Sequence, residues 1–167
     1  GNPGSLGEEV QPGFPGVLGA SVPAVIPPAS GRSAGRRRAL ADWIASPDNP
    51  LTARVAVNRF WSQIFGFGLV ETEEDFGTQG SWPSHPELLD HLARRFQASG
   101  GSTKALIREL VLSRTYRLSS EADARGLEVD PDDTLLWRAR PRRLDAESLR
   151  DAMLSAAGTL DPTPLHG

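Results

Sequence analysis

A chain of 167 residues with a net charge of −3 and no cysteine has room for one ordinary domain. The near-neutral charge gives no electrostatic case for nucleic acid or an anionic membrane surface. The absent thiols exclude a disulfide, a cysteine nucleophile, a zinc knuckle and covalent haem attachment within these residues. No apolar run approaches the ~20 residues of a membrane span, and no charged start leads into an apolar signal core, so the chain as given is expected to be soluble.

Residues 1–35 are dominated by glycine, proline and small side chains, with no sustained helical or strand period. They are expected to form an extended lead-in or linker, with Phe14, Val17, Leu18 and Ile26 available to pin it to a neighbouring surface. Residues 36–167 are expected to form the helical domain, and a glycine start without methionine suggests a piece cut from a longer protein.

From Arg36 the spacing turns helical, with Leu40, Trp43 and Ile44 on one face, and the segment stops at Ser46-Pro47. Asn49 is placed to cap the next helix and Pro50 suits its first turn, where a missing donor costs nothing. That helix should run to about Phe65, with Ala53, Ala56, Val57, Phe60, Trp61 and Ile64 making a wide apolar face. Residues 71–81 carry too much glycine and charge for a strand and read as an ordered loop.

A further helix is expected from Glu87 to Ser99, with Leu88, Leu89, Leu92 and Phe96 inward and Gly100-Gly101 closing it. Ser102 then caps another, whose stripe of Leu106, Ile107, Leu110 and Val111 makes the two an antiparallel pair. Residues 121–133 read as an acidic, solvated loop, Leu135, Leu136 and Trp137 as an apolar anchor. A last helix begins near Asp145 with Leu149, Ala152, Met153 and Ala156 inward. The predicted fold is mainly α, an irregular helical bundle of about five to six helices behind the Pro/Gly-rich segment.

The stretch FGTQGSWPSHPELLD gathers serine, histidine and carboxylates. Glu87 and His91, one turn apart, are two possible metal ligands, too few for a site. The stronger reading is a capping box, with the Ser84 oxygen accepting from the Glu87 amide and the Glu87 side chain returning to the Ser84 amide. His85 is not needed by that box. No sharp, glycine-flanked nucleophile elbow is present, so no catalytic residue is assigned.

Arg59, on the polar edge of the central helix, should meet Asp75 or Glu74 as a clamp, or else an anionic ligand. Tyr116 and Arg117, with Arg114 and, if the last helix packs nearby, Arg142, Arg143 and Arg150, are the best candidate for a binding surface, against a reading as intramolecular ion pairs. The candidate ligand-binding set is therefore Arg59, Asp75, His85, Tyr116 and Arg117, and the candidate capping set Asn49, Ser84, Glu87 and Ser102.

The run RRALADWIASPDNPLTARVAVNRFWSQIFGFGLVETEEDFGTQGSWPSHPELLDHLARRF, followed by STKALIRELVLSRTYRLSS and LLWRARPRRLDAESLRDAML, resembles the planctomycete-type domain of unknown function 1553, also called PSD1. The resemblance spans about Gly1 to Asp161. It implies the C-terminal part of a secreted or periplasmic protein whose N-terminal region carries a c-type cytochrome module, so that any haem belongs to that region and not to this chain. It implies partners among the parent's other domains and supplies no catalytic residues. An extracellular enzyme acting on polysaccharide or redox substrates is the alternative to a binding or scaffolding module, with an extracellular anionic ligand as a further partner. In two places the sequence departs from the family's pattern: Gly101 stands where a tryptophan is common, and the chain stops at Gly167 where members usually continue.

Overall fold

The protein is represented by a computed structural model that describes residues 4, 7–8, 12–19 and 34–163. Most of the expected lead-in of residues 1–35, Ile26 included, lies outside them. Within its described part Phe14 stacks on Trp43, with ring centroids 4.5 Å apart, while Val17 is exposed.

The architecture is mainly α. Among the described residues six α-helices form and no strand does: α1 Arg36–Ala45, α2 Thr52–Phe65, α3 Pro86–Ala98, α4 Thr103–Val111, α5 Ala124–Val129 and α6 Ala146–Ala156. The chain divides into two compact units, Gly1–Ser113 and Arg114–Gly167.

In the first unit α2 packs on α3 and α4, and those two pack on each other. The reason is the width of the apolar face on α2, whose Ala53, Val57 and Trp61 are buried against Leu89, Leu92 and Ala93 of α3 and Leu106 and Leu110 of α4. Asn49 sets the entry to α2: its Oδ1 accepts from the Leu51 and Thr52 amides at 3.0 and 3.2 Å, while its Nδ2 donates to the Trp43 carbonyl at 3.4 Å. One buried side chain thus joins the end of α1 to the start of α2.

The turn between α3 and α4 is a Schellman closure. Gly101 N donates to Phe96 O and Gly100 N to Gln97 O, both at 2.9 Å, and Gly100 takes φ +69°. Gly101 sits at φ +74° with Phe96 as its nearest neighbour, a backbone geometry that a side chain rarely adopts. Ser102 Oγ accepts from Ala105 N at 3.3 Å at the start of α4.

Two expectations about burial fail. Leu40 and Ile44 are each about half exposed, and α1 buries none of its side chains. On α6 Met153 is 66% exposed and Leu149 half so, and no residue of that helix is buried. Periodicity identifies an amphipathic helix, but burial needs a partner element, and on α1 the Phe14 ring stacked on Trp43 covers only part of the face.

The second unit contains an element missing from the sequence reading. Within the supposed solvated loop, Asp123 Oδ1 accepts from Gly126 N at 2.7 Å and starts the short helix α5. Trp137 then lies over that helix, its ring carbons 2.6–2.7 Å from where a Cβ on Gly126 would stand, so only glycine fits there.

Candidate functional site

The connection from α2 to α3, residues 66–85, holds most of the polar residues singled out in the sequence. Its anchor is Asn58, fully buried on α2 (0% exposed). The side-chain amide pairs with the Val70 backbone as a neighbouring strand would: Nδ2 donates to Val70 O at 3.0 Å, and Oδ1 accepts from Val70 N at 2.9 Å. Leu69 and Val70 are thereby buried without unpaired backbone at Val70. The arrangement requires Gly68, because a Cβ there would stand 2.4 Å from Val70 O and 2.8 Å from Asn58 Nδ2.

The far end of the connection returns to the same place. Ser84 donates twice to Leu69 O, from its amide at 2.8 Å and from its hydroxyl at 3.2 Å. This overturns the Ser84–Glu87 capping box. The Ser84 amide, which the Glu87 side chain would have to accept from, is committed to Leu69, the cap position of α3 falls to His85 without a side-chain cap bond, and Glu87 stays exposed in the first turn. A carboxylate there still interacts favourably with the helix N-terminus. His85 Nδ1 lies 3.0 Å from Ser84 Oγ.

Between these anchors the loop is held by its own polar atoms. Thr72 Oγ1 donates to Asp75 O at 2.8 Å and accepts from Ser81 N at 2.9 Å, and Asp75 Oδ1 accepts from Gly77 N at 2.7 Å. Arg59 pairs with Glu74 rather than Asp75, at 3.2 Å across an exposed surface. Arg59, Asp75 and His85 are thus engaged with three different partners. Tyr116 and Arg117 lie in the second unit, on a 3-10 turn, Thr115–Arg117, with Tyr116 exposed. Among the described residues no group of three or more histidine or acidic side chains is placed to hold a metal ion.

At the edge of the α2–α3 interface Arg54 Nε donates to Asp90 Oδ1 at 2.7 Å, and its Nη1 also reaches the Pro50 carbonyl. The Arg54 hydrogen bond, with the positive charges of Arg54 and Arg94, holds the Asp90 carboxyl below its ordinary range against an opposing desolvation. A depressed folded-state pKa contributes stability that is present above the unfolded pKa of about 3.9 and is lost as pH falls through the folded value. Both side chains are about one-third exposed, so the pair is worth under about 1 kcal/mol. Asp90→Asn should remove that share of the acid dependence below about pH 4, as read by urea unfolding across pH.

The second unit holds a cluster that the sequence reading placed in solvent. Asp133 is 1% exposed and takes φ +54°. Its Oδ1 accepts from Trp137 N at 3.0 Å and Arg138 N at 3.2 Å, and its Oδ2 faces Arg140 Nε at 3.4 Å. Asp130 accepts from the Thr134 and Leu135 amides with its carboxylate and from Trp137 Nε1 with its carbonyl. Arg138 lies over the Trp137 ring, 4.9 Å from its centre, and Arg140 also donates to the Asp132 carbonyl. The signal available was the spacing of Asp130 and Asp133, residues that cap turns, ahead of Trp137.

The sequence pattern of one family, PSD1, described as a protein of unknown function (DUF1553), matches residues 36–166. The chain belongs to the PSD1 family. No curated protein and no solved structure matches it. In this PSD1 domain the family match takes in both compact units, and no helix among the described residues is long and apolar enough to cross a membrane.

Proposed function

We propose that this PSD1 domain is a binding or scaffolding module of a secreted, cytochrome c-associated protein, and that its principal partners are the other domains of that parent. One observation carries the reading: the polar side chains that chemistry would need are spent on backbone. Asn58, Thr72, Asp75 and Ser84 each bond a main-chain group of the 66–85 connection, and Asp133 does the same in the second unit. A catalytic constellation needs nucleophile, base and orienting group aimed at a common point, whereas here they converge on the chain itself. Some large apolar side chains face outward as well, Leu149 and Met153 on α6 and Leu112 beyond α4. Such surface favours association over turnover.

Any haem belongs to the parent's N-terminal region, and an extracellular anionic ligand is the further partner of this reading. The test is crosslinking and isothermal titration of this domain against the parent's remaining domains. Saturable association that Leu149→Asp and Met153→Asp weaken at least tenfold is expected. No association, together with hydrolysis of an extracellular polymer by the isolated domain, would favour the enzyme reading instead.

A further inference from the structure

The loop between α2 and α3 presents Trp82 almost wholly to solvent, 91% exposed. Indole is the largest side chain, and burying it is among the most favourable contributions a residue makes. Here it stands outside the core, next to backbone that is hydrogen-bonded within the loop. The residue before it, Ser81, donates its amide to Thr72 Oγ1, and Gly80 N donates to Gly77 O at 3.1 Å. A Cβ on Gly80 would stand 2.0 Å from Asp75 O.

The surroundings of the indole specify the partner. Thr72, to which the residue before Trp82 is tied, lies within the run Glu71-Thr72-Glu73-Glu74-Asp75, and among the described residues only Glu74 of its acids has an arginine partner, Arg59. Glu71 and Asp75 are exposed and Glu73 is half-buried. Negative charge beside an open aromatic face repels nucleic acid and acidic surfaces and attracts cations, which a ring quadrupole also favours, most strongly for indole. No other large exposed apolar residue lies on this loop to widen it into a hydrophobic interface.

We infer that Trp82 and the acidic run of residues 71–75 form a docking site for a basic peptide segment of a partner protein, an arginine or lysine stacking on the indole while the carboxylates take its neighbouring cations. The inference rests on the binding-module reading and names the chemistry of one partner.

The test is titration of the full chain with a hexa-arginine peptide at low and physiological salt. Saturable binding is expected, weakened by salt, at least tenfold weaker in Trp82→Ala, largely retained in Trp82→Phe and weaker with a shallower salt dependence in Glu71→Gln/Glu73→Gln. Trp82 is too exposed for its removal to unfold the protein, and a thermal melt checks this. Absence of binding, equal binding by Trp82→Ala, or binding of cellohexaose at Trp82 in place of the peptide overturns the inference. Crosslinking of Trp82→Ala to the parent's domains is run alongside. If it persists while hexa-arginine fails to bind, the basic-peptide inference falls and the binding-module reading stands.

Discussion

Replacing Asn58 with alanine is expected to destabilise the unit ending at Ser113 by about 3–5 kcal/mol, because it strands two buried main-chain groups and opens a small cavity. Val70 N and Val70 O have the Asn58 side chain as their hydrogen-bonding partner in a site with no exposure. Urea unfolding gives the loss, and hydrogen exchange at the Val70 amide shows whether it begins at this loop, where protection should fall before that of α2 or α3. Asn58→Asp sharpens the test. It keeps the acceptor for Val70 N but sets a carboxylate against Val70 O, so the acid is more easily protonated in the folded state than in the unfolded chain. Its folded pKa is therefore raised, and stability should be recovered as pH falls below that value. This is opposite in sign to the contribution of Asp90.

The comparison of these two positions shows what a sequence exposes. The helices are legible because apolar spacing and terminal chemistry are local: α2, α3 and α4 lie within about two residues of where Asn49, Gly66, Gly100 and Ser102 would place them. Asn58 is a polar residue on an apolar helix face, and its partner lies twelve positions away. Nothing local distinguishes Val70 as that partner, and the role of Gly68 follows only once the pairing is known.

Ser84 illustrates the opposite failure. Ser-x-x-Glu before an apolar run is a sound local signature, yet the backbone of Leu69, fifteen residues earlier, takes both donors of Ser84. A buried carbonyl left unpaired costs more than an exposed helix start that water can satisfy, so the long-range bond prevails over the local one. The acidic residues 121–133 were misread for a related reason. Charge density normally marks a solvated loop, but Asp123, Asp130 and Asp133 are consumed in satisfying amides. The glycine at 126 that looks like a loop residue is the floor on which Trp137 lies.

That arrangement makes Asp133 the position of largest expected effect in the second unit. Asp133→Ala removes the acceptor of two amides, at Trp137 and Arg138, and the carboxylate facing Arg140. Loss of one partner from such a buried set costs about 3–5 kcal/mol. The substitution also places alanine at φ +54°, which aspartate and asparagine tolerate better than other side chains. Asp133→Asn separates the contributions. It retains an oxygen for the amides and a residue suited to the left-handed backbone, but turns an –NH2 toward Arg140, so a smaller loss of about 1–3 kcal/mol is expected. Limited proteolysis and the near-ultraviolet circular dichroism of Trp137 should rank the proteins wild type, Asn, Ala. Equal behaviour of the two variants would mean that the charge facing Arg140, rather than the amide acceptor, holds Trp137 on α5.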